Sequence, residues 1–391
     1  MRNIYVFYPT QVIGGAELLF VRLLNYISQN YPQMRVGYIN FTESCINELL
    51  SEGVERVAVD KSITLPENST IVAPPFCIYN FPQIKTKNLT FLFWILHMEE
   101  VAVSMCPLSR TTTKNVIDRV RTMTTHNALI VMDEATKITT QKFCSFNVNE
   151  NMLMPVVLED YQTSFLKESL IDEQYINLAW IGRLSADKIY ALINLMDNLE
   201  KLKLDKKIKL HIIGEGDSGH LIGEYKNFEI IYLGTLFPKD LPLYIQNNID
   251  IVFAMGTSML ESEKCGVPAV MVFYTIEKSS KDCFLWTFKL QNYVLGYDAQ
   301  LELIPQKELM TLEQILNDFL LNMSHRSKQA RDHFESFLID RHIVKFLKYA
   351  NETSYTKEIL KKEKLKIKLG RILRKVKNIY KFSDDVVLEL Y

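Results

Sequence analysis

The fold is decided by the stretch Leu178–Asp217, which reads LAWIGRLSADKIYALINLMDNLEKLKLDKKIKLHIIGEGD. It opens with a short apolar run, residues 178–181, that is typical of a buried strand. Apolar residues then recur at three- and four-residue spacing between Ile189 and Leu199, which predicts an amphipathic helix. A second apolar run, residues 208–213, predicts another strand. The order strand, helix, strand indicates an α/β unit with a parallel sheet.

Glycines follow both predicted strands, Gly182 after the first and Gly214–Glu215–Gly216 after the second. Ligands of open α/β sheets bind outside the carboxyl ends of the strands. Arg183 and Lys188 lie in the first turn, and we expect no local partner to neutralise them. Two cations beside a helix amino terminus suit a diphosphate, because free backbone N–H groups and the helix dipole add to their charge. The structural alternative is a plain βαβ unit with a solvated Arg and Lys on its rim.

The size and charge of the chain narrow its class. At 391 residues it is too long for one ordinary core and fits two α/β domains. With 48% hydrophobic and 23% charged residues, its composition is that of a folded protein. The formal net charge of −1 gives no overall field that would attract nucleic acid, so no nucleic-acid partner is expected.

The cysteines and the amino terminus indicate a cytoplasmic protein. Six cysteines stand at spacings that fit neither a metal site nor a disulfide framework, and we expect reduced thiols; they are Cys45, Cys77, Cys106, Cys144, Cys265 and Cys283. The chain starts MRNIYVFYP, directly in a predicted strand and without the pattern of a secretory signal. The longest apolar run, residues 91–96, is too short to span a membrane. We predict no metal and no cofactor.

A glycine pair stands between the first predicted strand and the first predicted helix. Residues 4–8 predict the strand, Gly14–Gly15–Ala16–Glu17 follows a loop, and apolar residues at helical spacing come next. Glycine at such a position lets backbone N–H groups come close to an anion. A tight turn that needs positive φ is the structural alternative.

A histidine follows the most apolar strand of the first half. Residues 90–96 (TFLFWIL) predict a parallel strand buried on both faces, and His97 comes directly after it. At the carboxyl end of a strand, His97 can hydrogen-bond sugar hydroxyls or take part in proton transfer. A satisfied structural histidine is the alternative. Glu99 and Glu100 are expected to be surface charges at a helix start.

A second glycine-containing turn follows the predicted strand 250–254. The segment Met255–Glu261 reads MGTSMLE and predicts a turn that leads into a short helix. Backbone amides and hydroxyls of Thr257 and Ser258, next to Gly256, can hold a phosphate at that helix start. Glu261, one turn into the helix, can accept both hydroxyls of a ribose. The alternative for Glu261 is a glutamate favoured by the helix dipole.

Taken together, GRLSADK with the following helix, strand and GEGD, the GGAE loop, and the GTSMLE segment continued by Gly266–Val267–Pro268 resemble GT-B glycosyltransferases of the large retaining family 4. The resemblance covers about residues 1–350. It implies an α/β protein of GT-B architecture, with two Rossmann-like domains that face a central cleft. It also implies a nucleotide-sugar donor, a metal-independent reaction and retention at the anomeric carbon.

The same resemblance assigns roles to the residues already named. Arg183 and Lys188 would grip the donor diphosphate, the loop at Gly14 and Gly15 would face it, and His97 would meet the donor sugar. The catalytic residues implied are therefore His97, Arg183 and Lys188. The donor-binding residues implied are Gly14, Gly15, Gly182, Gly214, Glu215, Gly256, Thr257, Ser258 and Glu261.

One position departs from the family pattern. The family carries two glutamates separated by seven residues, and the second corresponds to Glu261. Phe253 stands where the first glutamate is expected. In the family that glutamate usually meets the transferred sugar, so the sequence keeps the nucleotide half of the site and lacks part of the sugar half.

The end of the chain is strongly basic. Between Lys357 and Lys381 it carries eleven cations and two glutamates, with apolar residues interleaved. This pattern predicts a basic amphipathic helix on an anionic membrane surface, where each cation adds on the order of 1 kcal/mol. A solvated or frayed tail and nucleic-acid binding are the alternatives, although aromatic residues for base stacking are few. Because acceptors of the family are often lipid-linked, we favour the membrane.

The sequence therefore predicts five segments. They are an amino-terminal Rossmann-like domain (1–157), a linker (158–177), a nucleotide-sugar-binding Rossmann-like domain (178–330), a helix that crosses back to the first domain (331–350) and a basic tail (351–391). The predicted function is transfer of a sugar from a UDP- or GDP-sugar to a glycan or lipid-linked acceptor in cell-surface polysaccharide synthesis. We expect a cytoplasmic protein, peripheral on the inner face of the cell membrane.

Two other functions fit the same fold. A GT-B-fold nucleotide-sugar epimerase would need further acid/base residues, which the sequence does not identify. A catalytically silent GT-B subunit that binds a partner or the membrane is favoured by Phe253. Turnover of the donor separates the silent subunit from an enzyme.

Overall fold

The structure is a computed structural model that describes residues 1–11, 13–105, 112–148, 152–160, 166–237, 239–297 and 304–365. Backbone contacts divide the chain into two compact units. The first comprises Met1–Met132, Thr136–Met154 and the chain from Lys345, and the second comprises Asp133–Ala135 and Pro155–Val344. The domain boundaries predicted from the sequence stay predictions.

The first unit is built on a parallel sheet. Its strands are β1 (Asn3–Phe7), β2 (Val36–Asn40), β3 (Val54–Ala58), β5 (Ser69–Ala73), β7 (Thr90–Ile95) and β8 (Leu129–Val131), and a separate parallel pair is formed by β4 (Ser62–Ile63) and β6 (Gln83–Ile84). The six strands are ordered β3-β2-β1-β5-β7-β8, and each neighbouring pair is parallel. Every residue of β5 and β7 is buried, as expected for apolar strands covered on both faces.

The second unit has a sheet of the same plan. Its strands are β9 (Tyr175–Ile181), β10 (Lys207–Ile213), β11 (Glu229–Gly234), β12 (Ile251–Ala254), β13 (Ala269–Met271) and β14 (Leu285–Trp286). They are ordered β11-β10-β9-β12-β13-β14, all parallel except the final β13–β14 pair. The strands predicted at residues 178–181, 208–213 and 250–254 are confirmed as β9, β10 and β12.

The helices that accompany these sheets begin and end close to the predicted residues. They are α1 (Gly15–Asn30), α2 (Thr113–Thr125), α3 (Glu134–Cys144), α4 (Ile189–Leu199), α5 (Leu241–Asn248), α6 (Thr257–Lys264), α7 (Leu312–Glu335) and α8 (Ile339–Glu352). The periodicity between Ile189 and Leu199 predicts α4 to the residue. Its Ala191, Leu192, Leu195, Met196 and Leu199 belong to the core of the second unit.

The single helix predicted over 331–350 is wrong. Helix α7 ends at Glu335 and α8 begins only at Ile339. The break is fixed in the second unit by backbone hydrogen bonds between the strand-like residues Leu158 and Phe337–Ile339. Apolar spacing continues through the break because Phe334, Phe337 and Ile339 are all buried, so periodicity alone did not reveal it.

The beginning of the basic tail packs on the first unit. Residues 357–365 are helical, and Leu360 is buried in the core cluster of that unit. Lys357 and Lys364 donate hydrogen bonds to the carbonyls of Thr86 and Phe81, at 2.9 and 2.7 Å. The apolar side of this part is therefore used for packing. Residues 366–381, which carry the rest of the predicted membrane surface, lie outside the described residues, as does Cys106.

Among the helices of the described residues, none combines the length and apolar character needed to cross a bilayer.

Candidate functional site

Three turns start side by side at the carboxyl edge of the second sheet. Ile181, the last residue of β9, is the register partner of both Ile213 in β10 and Ala254 in β12. The chain runs from β9 outward through β10 and β11, and then returns to the other side of β9 as β12. Such a reversal of strand order opens the crevice in which ligands of open α/β sheets bind. The predicted segments after β9, β10 and β12 are thus brought together.

Glycine is required where the first two turns meet. A Cβ on Gly214 would lie 2.1 Å from the carbonyl oxygen of Gly182, and φ of Gly214 is +136°. The Gly182 amide donates to the Ile213 carbonyl at 3.0 Å, and the Leu184 amide donates to the Glu215 carbonyl at 2.9 Å. Glu215 itself is exposed, with its carboxylate folded over Gly234. These backbone contacts give the turn that carries Arg183 a fixed course.

The two predicted cations lie on either side of a carboxylate that sequence reasoning overlooked. Arg183 is 66% exposed, and its guanidinium lies 3.9 Å from the Asp187 carboxylate. Lys188 is half-buried at the residue before α4, where its amide donates to the Ser185 carbonyl at 2.9 Å. The expectation that nothing neutralises these cations locally is wrong, because Asp187 interacts with both.

Burial and charge shift the protonation equilibria of this turn. Burial lowers the pKa of Lys188, and the neighbouring Arg183 cation lowers it further. Burial would raise the pKa of Asp187, but hydrogen bonds from the Ser185 hydroxyl and its own amide, together with the two cations, hold that pKa below its ordinary value. Two mutually repelling cations with one carboxylate leave a net positive charge, which an anion relieves.

The turn after β12 leads directly into α6. Gly256 precedes the helix with φ +70°, and a Cβ there would meet no atom within 4 Å. Glycine is needed for this backbone conformation and not for lack of space. Thr257 and Ser258 are half-buried in the first turn of the helix, where amide N–H groups have no acceptor within the helix. The predicted phosphate-holding turn is therefore formed.

Two glutamates of α6 have different surroundings. Glu261 is half-buried one turn into the helix and lies close enough to Cys265 to act on its thiol, whose pKa is raised mainly by burial to about 12. Glu263 is fully buried, accepts from the Thr287 hydroxyl and interacts with His333 Nδ1 at 2.7 Å. Glu263 thus anchors the helix that carries Glu261.

Phe253 belongs to the core of the second unit. Its side chain is fully buried in β12 and packs edge-to-face against Phe284, with ring centroids 5.8 Å apart. The register of β12 pairs it with Trp180, which is also fully buried. The position at which the family pattern places its first glutamate therefore contributes nothing to a site at the sheet edge.

Gly14, Gly15 and His97 lie in the first unit, at the carboxyl edge of the other sheet. Gly14 precedes α1 in an extended conformation, with φ −145°, so the tight turn with positive φ does not occur there. The Glu17 carboxylate folds back on this loop, and its Oε2 lies 2.7 Å from the position of a Cβ on Gly14. A negative side chain therefore stands beside the predicted anion-binding amides.

His97 follows β7 in a tight turn. Its ring is exposed, and its Nδ1 accepts a hydrogen bond from the amide of Glu99 at 3.2 Å. A neutral imidazole that accepts at Nδ1 carries its proton on Nε2. The hydroxyl of Thr139 in α3 donates to the carbonyl of Met98 at 2.8 Å and holds the same turn from the other side.

Glu100 is not the surface charge that the sequence predicted. It is 4% exposed, and its Oε2 accepts from the amide of Leu96 at 2.9 Å. Its Oε1 is buried and has no hydrogen-bond partner among the described residues. Burial raises the pKa of Glu100 to about 8, although the amides of Leu96 and His97 act in the opposite direction. The position directly after a fully apolar strand was the available indication of this environment.

Glu100 is part of a buried polar group at this edge. Tyr8 follows β1 and Cys77 follows β5, and burial together with Glu17, Cys77 and Glu100 raises the pKa of Tyr8. Burial first, and then Glu100, also raise the pKa of the Cys77 thiol. This edge of the first sheet is therefore uncharged or acidic, in contrast to the cationic edge of the second sheet.

A cavity of about 300 Å³ in the first unit lies away from all these residues. It opens near the amino end of β8 and contains none of the predicted site residues. It is lined by Asn127, Leu129, Met152, Lys345, Lys348, Tyr349 and Glu352.

Comparisons with known proteins add the fold. No protein-family model matches the chain, and no curated protein matches it. Among solved structures, S. aureus TarM in complex with Fondaparinux, alpha-GlcNAc-glycerol and UDP is similar at a TM-score of 0.57 and 11% identity, over 90% of this chain and 100% of TarM. A glycosyltransferase from Rickettsia africae ESF-5 is similar at a TM-score of 0.56 and 10% identity, over 90% and 98%.

The lipopolysaccharide outer core galactosyltransferase WaaB is also similar, at a TM-score of 0.53 and 10% identity, over 89% of this chain and 99% of WaaB. These similar structures are GT-B glycosyltransferases. The predicted fold class, an α/β protein of GT-B architecture, is confirmed.

Proposed function

We propose that this chain is a glycosyltransferase that takes a sugar from a nucleotide diphosphate donor, a UDP- or GDP-sugar. The observation that carries the proposal is the edge of the second sheet. Arg183 and Lys188 after β9, and Thr257 and Ser258 after β12, flank the reversal of strand order. Cations and helix-start amides on both sides of one crevice fit a diphosphate.

The chemistry follows from the charge of the leaving group. When the bond between sugar and diphosphate breaks, negative charge develops on the diphosphate, and preorganised cations stabilise it. Arg183 and Lys188 supply these cations, and no metal or cofactor enters the proposal. Glu261 would hold the ribose from α6, and Glu263 would keep that helix in place through Thr287 and His333.

Membership of family 4, retention at the anomeric carbon and the acceptor are further parts of the proposal. A glycan or lipid-linked acceptor in polysaccharide synthesis agrees with the similar structures, since WaaB is a lipopolysaccharide galactosyltransferase and WaaG, with a TM-score of 0.51 and 12% identity, is involved in lipopolysaccharide biosynthesis. Peripheral binding to an anionic membrane rests on the charge pattern of residues 357–381.

One observation favours a second function. Because Phe253 is a core residue, the contact to the transferred sugar that the family pattern places there is missing. A GT-B subunit that has lost catalysis and binds a partner is consistent with this loss. The two functions differ in whether the donor is turned over.

Thermal unfolding of the purified chain with UDP-, GDP-, ADP- and CMP-sugars tests the donor site. A ligand that binds only the folded state raises the melting temperature. We expect one nucleotide class to stabilise the wild type and to have no effect on Arg183→Ala. Lys203→Ala, which removes an exposed cation from the loop after α4, should respond like the wild type. Absence of stabilisation by every donor would reject the donor site and favour the silent subunit.

A further inference from the structure

Glu100 is an acid buried without a positive partner. The titratable groups that act on it and its neighbours are Tyr8 after β1, Cys77 after β5 and Glu17 from α1. None of these is a cation, and no cation among the described residues contributes to the shift of its pKa. Burying a charge without a partner is costly, so the carboxyl stays protonated near neutral pH.

The side chain of Glu100 closes the turn that carries His97. Its Oε2 accepts from the Leu96 amide, and its own amide donates to the His97 carbonyl at 3.1 Å. Within the same five residues, the Glu99 amide donates to His97 Nδ1. Glu100 then begins a π-helical turn, Glu100–Met105, a conformation that is often found at functional sites.

These contacts leave His97 little freedom of orientation. The carboxyl of Glu100 ties the start of the turn at Leu96, and Thr139 ties its middle at Met98. An uncharged carboxyl suits this role because it accepts from an amide without bringing a net charge into the core.

We propose that Glu100 is a positioning residue: it fixes residues 96–100 at the end of β7 and so sets the direction in which the His97 ring is presented to the donor sugar. The proposal rests on the proposed function, in which His97 meets that sugar. Glu100 itself is buried and touches no substrate.

Two substitutions of similar size separate the hydrogen bond from packing. Glu100→Gln keeps an acceptor for the Leu96 amide and has no charge at any pH. Glu100→Met fills the same space with a flexible apolar chain and removes the acceptor. Glu99→Gln is the matched control, since it changes the neighbouring carboxyl and leaves the Glu100 contacts in place.

The orientation of His97 can be read without any substrate. Nitrogen NMR of the ring, assigned with His97→Gln, reports which nitrogen carries the proton. We expect the Nε2–H form in the wild type, Glu100→Gln and Glu99→Gln, and a mixture of both forms in Glu100→Met. Unchanged ring signals in a folded Glu100→Met protein would overturn the proposal.

Turnover of the donor identified by thermal stabilisation gives the second measurement. We expect kcat to fall about tenfold in Glu100→Met, with KM for the donor nearly unchanged, and to stay within about twofold in Glu100→Gln. If Glu100 acts through His97, Glu100→Met should add no further loss to His97→Ala. Additive losses would reject the coupling. If the wild type binds no donor, the proposed function fails, and the NMR measurement alone decides the role of Glu100.

The protonation state is tested by stability against pH. Because the pKa of Glu100 rises from an ordinary value of 4.5 to about 8, the folded state holds a proton that the unfolded state releases between these values. Stability is therefore full below pH 4.5 and falls as pH rises toward 8. Glu100→Gln should melt a few degrees above the wild type at pH 8.5 and at nearly the same temperature at pH 5. A difference that is independent of pH would show that Glu100 is not held neutral.

Discussion

The two sheets share a strand plan and differ in the chemistry of their carboxyl edges. In both, the first strand lies in the middle and the chain reverses direction beside it, between β1 and β5 in one unit and between β9 and β12 in the other. The edge of the second sheet carries Arg183 and Lys188 and is built from closely packed turns. The edge of the first sheet carries Tyr8 and the buried acid Glu100.

This difference shows which part of the site the fold determines and which part the turns determine. The topology places a crevice at each edge, whatever residues follow the strands. Only the second edge offers positive charge and helix-start amides to an anion, whereas Glu17 and Glu100 would disfavour one at the first edge. We therefore assign the diphosphate to the second unit, and we expect the first edge to contact an uncharged group such as a sugar.

The largest expected effect tests the close packing of the second edge. Gly214→Ala would place a Cβ 2.1 Å from the Gly182 carbonyl at a positive φ, so we expect a loss of roughly 3 kcal/mol in the free energy of unfolding. Chemical denaturation measures it. Gly223→Ala, where a Cβ meets nothing within 4 Å, should change stability by less than about 0.5 kcal/mol. Equal stabilities of the two variants would show that these turns do not pack as described.

An intermediate effect tests the charge contrast between the edges. Lys188→Ala removes a half-buried cation from the second edge, and a charge-assisted contact is worth about 2 kcal/mol, or roughly thirtyfold in affinity. Calorimetric titration with UDP measures it. Glu17→Gln changes the charge of the first edge and should leave UDP affinity unaltered. A comparable change in both variants would place the anion elsewhere.

The smallest effect concerns the carboxylate between the two cations. Asp187→Asn removes the negative charge near Arg183 and should tighten UDP binding at low salt by at most about 1 kcal/mol, since the pair is largely exposed. The gain should shrink at high salt, because screening weakens exposed charges most. Titration at two salt concentrations checks it, and tighter binding that persists in high salt would contradict this account of Asp187.

Local pattern was sufficient for the elements that organise the second unit. The apolar runs predicted β9, β10 and β12, and apolar spacing predicted α4 exactly at Ile189–Leu199. The glycines at 182, 214 and 256 were correctly expected at the carboxyl ends of strands. These features are determined by residues close in sequence, which is why one sequence reveals them.

What the sequence did not reveal depends on distant residues. Glu100 is buried because β1 and β5 bring Tyr8 and Cys77 toward it, and nothing in LHMEE shows that covering. The break before Ile339 is fixed by hydrogen bonds to Leu158, which is remote along the chain. Asp187 is the exception, because it stood in the quoted motif, and its neutralising charge was simply not weighed against Arg183.

The burial of Phe253 sets a limit on redesign of this chain. Strand β12 is covered on both faces through Ala254, so a carboxylate at position 253 would be an unpaired charge in the core, which costs several kcal/mol. Reversion to the family's residue would therefore unfold the unit before it restored a sugar contact. An engineer who wants a carboxylate near the reacting carbon should graft it at Met255, the first half-buried position beyond the strand, where its charge reaches water.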